Sequence, residues 1–153
     1  MLKSTILCFL IFYKSVNSQL SGDATNINPD NCGLRPIYAP SKIVGGSQAL
    51  PGDFGWQVAM KYNNAFTCGA SVLNSQWVIS AAHCVYGRAT PALFSFDIGL
   101  HDRNSPESWS VSRKVTKIIM HPSYNDLTTR NDIVLMKLDV ILKNLYLLNK
   151  TQF

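Results

Sequence analysis

Charge is scarce in this sequence. Asp, Glu, Lys and Arg make up 15% of its 153 residues, where a soluble domain usually carries about a quarter. A disordered chain needs the opposite balance, high charge and few apolar residues, and here 46% are hydrophobic. Long apolar runs are missing too. None reaches the roughly 20 residues that cross a bilayer, so no membrane partner is expected. The formal charge is +5, yet no stretch gathers Lys and Arg densely. Without such a run, nucleic acid is not an expected partner either. Internal repeats and low-complexity tracts are absent. What remains is a chain of single-domain size, with scattered Gly and Pro that suit a β-rich fold.

The first residues carry a pattern of their own. Lys3 precedes the short apolar run Ile6–Tyr13, and Val16-Asn17-Ser18 places compact residues where a signal peptidase reads. Residues 1–18 are therefore expected to be a secretory signal peptide, cut after Ser18, and the protein to be secreted and extracellular. Lys14 ends the apolar run too early for an anchor. Loss of this segment removes Lys3, Lys14 and Cys8. Cys32, Cys68 and Cys84 then remain, an odd number for an oxidising compartment.

Residues 19–42 are polar, rich in Asn, Asp, Ser and Pro, and read as a pro-segment. Beyond the turn-rich stretch Gly45 to Gly55, short apolar segments alternate with turn signals. Strands are expected at Gln57–Tyr62, Thr67–Leu73, Trp77–Ser80, Ser95–Leu100, Ser108–Met120 (long and bent) and Ile133–Leu138. Asn63-Asn64 reads as a tight hairpin turn, and Ala81–Tyr86 as one helical turn. Six antiparallel strands can close into a small barrel. Residues 139–153 break the pattern, and Asp139–Leu148 would pass for a weak amphipathic helix.

Three segments carry chemistry. Val78-Ile79-Ser80-Ala81-Ala82-His83-Cys84 sets a histidine among small and apolar residues. A lone histidine there is ordinarily structural, but Ser80, Ala81 and Ala82 leave room beside its ring. Asn131-Asp132-Ile133-Val134-Leu135 opens a strand with an acid, ordinarily a local turn former. Lys42-Ile43-Val44-Gly45-Gly46 marks a sharp polar-to-apolar boundary. Together, in chain order (residues 42–46, then 78–84, then 131–135) and at this spacing, the three resemble the trypsin/chymotrypsin-like serine proteases over about residues 32–139.

The resemblance implies an all-β fold: residues 43–139 as the first six-stranded antiparallel Greek-key barrel of a double-barrel serine endopeptidase, followed by a divergent tail at 140–153. It implies His83 as general base and Asp132 as the acid that orients it. Lys42 and Ile43 become a zymogen junction cut by an activating trypsin-like protease, and peptides or proteins become the substrates. It pairs Cys68 with Cys84 and leaves Cys32 unpaired, because Cys32's usual partner lies in a linker this sequence does not match. The rival reading of Cys68, His83 and Cys84 as a zinc set suffers from adjacent ligands and the lack of a Cys-x2-4-Cys spacing. The family's calcium loop aligns Leu100 and Ser110 with two glutamates; leucine cannot ligate calcium, so no metal or cofactor is expected, despite Asp102 and Glu107. Asn149-Lys150-Thr151 is a glycosylation sequon within the tail.

No Gly-Asp-Ser-Gly-Gly segment occurs in the 153 residues. The nucleophilic serine, oxyanion hole and specificity pocket are thus missing from the pattern. Alone, this chain is expected not to catalyse. The alternative to an incompletely represented protease is an inactive half-protease acting as a binding or decoy module.

Overall fold

The computed structural model describes residues 49–142 apart from Ala89. The expected signal segment, pro-segment and Lys42–Ile43 junction, with Cys32 and Asn149, lie outside these residues. Six strands form: β1 (Gln57–Tyr62), β2 (Ala65–Val72), β3 (Trp77–Ser80), β4 (Phe94–Ile98), β5 (Val111–Met120) and β6 (Val134–Leu138). They close into a barrel in the order β1-β2-β3-β6-β5-β4, and every pairing is antiparallel. Three consecutive strands with the fourth returning beside the first is the Greek-key order. Closure leaves no strand edge unpaired.

Strict alternation builds the core. In β4 the sequence Phe-Ser-Phe-Asp-Ile buries Phe94, Phe96 and Ile98 while Ser95 and Asp97 turn outward. Val58 and Met60 of β1, Val115 of β5 and Val134, Met136 and Leu138 of β6 meet them inside. Each such side chain contributes about 1.5–3 kcal/mol when fully buried. Two irregularities bend the wall. One falls between Met60 and Lys61 and leaves Thr67 as the extra residue of β2. The other falls between Val115 and Lys117, where Thr116 is extra and its hydroxyl approaches the Lys137 carbonyl at 3.3 Å. This second bulge is the bend expected in β5.

Several strand ends differ from the sequence expectation, each for a local reason. β2 starts at Ala65 rather than Thr67, because Asn63 and Asn64 both take positive φ (49° and 65°). That two-residue turn matches strand twist and lets pairing run up to it. β4 stops at Ile98 because Gly99 turns the chain with φ 75°. β5 starts at Val111 rather than Ser108, since Ser110 is held in a turn by two bonds to the Glu107 carbonyl. β6 starts at Val134, after Ile133 N–H bonds back to the Asn131 carbonyl. Residues 139–142 are not helical. Asp139 N–H instead bonds to the Lys114 carbonyl and Leu142 N–H to the Ser75 carbonyl, and Leu142 packs on the core. Residues 143–148 of the expected helix lie outside the described residues.

Candidate active site

The site grows out of one seam of the barrel. β3 ends at Ser80, β6 begins at Val134, and these two residues are cross-strand partners. His83 follows β3 by three residues, and Asp132 precedes β6 by two. Register alone therefore brings a base and an acid to the same rim.

The His83 side is short and stiff. Ala82–Cys84 is a single 3-10 turn with Ala82 and Cys84 buried. Bonds from Val85 N–H and Tyr86 N–H to the Ala82 carbonyl continue it. A disulfide joins Cys84 to Cys68 of β2, with Cα atoms 6.3 Å apart and a sequence separation of 16. A loop of that size contributes about 3 kcal/mol in the chain-entropy account. It also fixes the backbone immediately beside His83.

The Asp132 side is a polar loop. Asn131 Nδ2 donates to the Ser123 carbonyl at 2.8 Å, Thr128 N–H donates to Asn125 Oδ1 at 3.0 Å, and Asn125 and Arg130 form a bridge. Thr129 and Asn131 take positive φ (51° and 57°). For asparagine this is tolerable; for β-branched threonine it is strained. Nothing in the sequence pattern announces it.

The two sides meet through one carboxylate. Asp132 Oδ2 lies 2.7 Å from His83 Nδ1, and Asp132 Oδ1 accepts the His83 backbone N–H at 2.8 Å. Ring and backbone are thus gripped by the same group. Burial alone would raise the Asp132 pKa. The bonds from the His83 ring and backbone, the His83 charge and the Ala82 N–H outweigh it and hold the carboxyl below its ordinary value. An ionised acceptor on Nδ1 assigns the ring proton to that nitrogen and leaves the Nε2 lone pair free. Nε2 sits 3.4 Å from Cys84 Sγ, while the His83 side chain is 55% exposed. The ring therefore rests on the disulfide and opens to solvent.

Other candidates fall into place around it. Ser80 is not poised for attack, since its hydroxyl donates to the Gly69 carbonyl at 2.8 Å. Cys68, His83 and Cys84 do place their ligand atoms within 4.8 Å of one another. Both sulfurs are spent in the disulfide, however, and a disulfide offers no thiolate to zinc. In the loop after β4, both Glu107 oxygens accept the His101 N–H, at 3.1 and 3.0 Å. Burial pushes the Glu107 pKa up, but these backbone bonds outweigh it and lower it. A pairing that the sequence reading did not bring together is that of Tyr86 and Tyr124, whose rings meet edge-on at 5.3 Å. Loss of solvent, the bond to Asp126 and the charges of Asp126 and Asp132 raise the Tyr124 pKa.

Comparison with known proteins agrees with this geometry. The family model described as Trypsin matches residues 43–143. Transmembrane protease serine 9 of Rattus norvegicus is 35% identical over 109 residues, which is 71% of this chain and 10% of that protein. The chain thus spans about a tenth of that relative's length. With a family match over most of its length and a closed six-stranded barrel beneath it, this chain belongs to the trypsin family of serine proteases.

Proposed function

We propose that this barrel supplies the base and the orienting acid of a serine endopeptidase. The observation that carries the reading is the 2.7 Å contact of Asp132 Oδ2 with His83 Nδ1, on a histidine side chain that is 55% exposed. A serine brought to Nε2 would lose its hydroxyl proton to that nitrogen as its oxygen bonds to the peptide carbonyl carbon. The imidazolium, stabilised by Asp132, would hand the proton to the departing amine. Water would then cleave the acyl ester with the same base. The serine, the oxyanion hole and the specificity pocket are assigned to polypeptide beyond these residues. Substrates on this reading are peptides or proteins.

The proposal extends to a secreted zymogen. Residues 1–18 serve as the signal and 19–42 as the pro-segment. A trypsin-like protease cuts after Lys42 and frees the α-amino group of Ile43. Residues 43–139 form the barrel, and Cys32 stays unpaired in this sequence or available for an intermolecular bond.

The natural protein, captured with an antibody to the barrel, tests this. Mass spectrometry should find a mature N-terminus at Ile43 and sequence continuing into a serine-bearing segment. A fluorophosphonate probe should label that serine. His83→Ala should slow labelling by about 10²-fold or more, the scale of a lost general base. A product that ends at Phe153 and never takes the probe would instead support the inactive binding module.

A further inference from the structure

The barrel gathers on one wall bases that the sequence disperses. Because core residues alternate with outward ones, Lys61 of β1, Ser95 of β4, Lys114 and Lys117 of β5 and Lys137 of β6 all face away from the core. Register sets Lys114 opposite Ser95 and Ser95 opposite Lys61. It sets Lys117 directly opposite Lys137. Neighbouring strands lie about 4.8 Å apart, so Lys117 and Lys137 stand side by side, and Lys114 lies two strands from Lys61. Like charges facing each other across a ladder disfavour folding. No strand-borne acid relieves Lys117 and Lys137. Asp97 is the acid within the strands, and it pairs with Lys61 at 2.8 Å. Asp139, just past β6, is exposed, and its N–H bonds to the Lys114 carbonyl. Lys137 lies over the buried Trp77 ring at 5.9 Å, which steadies its position.

We propose that this wall binds a linear sulfated polysaccharide, with Lys114, Lys117 and Lys137 as the contact cations and Lys61 at the margin. The field lies on a continuous sheet surface, bulged at Thr116, with Ser95 between Lys61 and Lys114. Repeated anions on a flexible polymer match such a field without needing pockets. An acidic peptide would gain from apolar anchors among the lysines. The exposed apolar ring at the end of this row, Phe66, already carries the Arg103 guanidinium at 4.1 Å. The inference is independent of catalysis, since none of these lysines touches His83 or Asp132.

The test is heparin binding by the full 153-residue chain at about 0.15 M salt, followed across a salt series. The chain should bind. Lys114→Ala/Lys117→Ala should weaken binding at least tenfold and flatten the log–log salt dependence by about 2, one for each cation lost. Arg88→Ala/Arg130→Ala removes the same charge elsewhere and should change affinity less than twofold. Lys114→Arg/Lys117→Arg should restore binding, which separates lost charge from a damaged fold. Equal losses in the two alanine pairs, or no binding by the parent chain, would overturn the proposal. Competition by poly-glutamate as strong as by heparin would also overturn it and assign the wall to an acidic protein.

Discussion

His83 and Asp132 arrive at one point by unlike means. The His83 arm is three residues of tight turn, apolar underneath and closed by a covalent bond. The Asp132 arm is an exposed loop, held by asparagine side chains and a strained backbone. One arm resists displacement through burial and the disulfide. The other does so through polar bonds that water can contest. Equal positional accuracy therefore carries unequal vulnerability: redox chemistry threatens one arm, single polar substitutions the other.

The sharpest break in this contrast is removal of the covalent bond. Cys68→Ala/Cys84→Ala should cost about 3 kcal/mol. In a domain this small that lowers Tm by on the order of 15 °C. Thermal unfolding with and without reductant reads it, and a parent protein indifferent to reductant would erase the distinction between the arms. Next is Asn131→Ala in the polar arm. It loses the bond to Ser123 and puts alanine at φ 57°, at a cost of about 2 kcal/mol. Asn131→Gly keeps the backbone comfortable and should cost about half as much. Equal costs in urea unfolding would mean that strain is not part of this arm.

Two smaller effects refine the picture. Thr129→Gly relieves a positive φ of 51° at the expense of a freer unfolded chain. A net gain of about 0.5 kcal/mol is expected, and a loss would show that the threonine side chain holds the loop. The smallest effect is electrostatic. Asp132 has a lowered folded-state pKa, so the unfolded chain binds its proton more readily. Its contribution is complete above the unfolded value of about 3.9 and fades as pH falls through the lower folded value. The stability difference between the parent and Asp132→Asn should shrink across that acid range. A difference that stays constant with pH would contradict the assignment.

Legibility in the sequence followed the same division. β1 and β3 were readable to the residue, because alternation and flanking turn residues mark both ends. The Asn63-Asn64 turn was readable because asparagine tolerates the conformation it adopts. His83 and Asp132 stood out by motif. The loop between β5 and β6 was opaque, since threonine at position 129 gives no hint of a left-handed backbone. The second role of Asp132, accepting the His83 backbone N–H, needs tertiary geometry to be seen. The lysine wall was invisible for a related reason. Residues 61, 114, 117 and 137 share a face only through register, and the sequence presents them as scattered.

The seam between β3 and β6 also dictates when the pair can exist. Ser80 and Val134 are far apart along the chain, so their ladder closes a long loop and is slow to nucleate. The hairpin of β1 with β2 turns at Asn63-Asn64 and that of β5 with β6 closes over residues 121–133, both shorter than the span from Ser80 to Val134, so both can form beforehand. Barrel closure is then the late event, and His83 meets Asp132 only when it completes. The contact between them is therefore a folding clock: a probe of that pairing, followed after dilution from denaturant, should rise with the last phase and vanish with the first local opening.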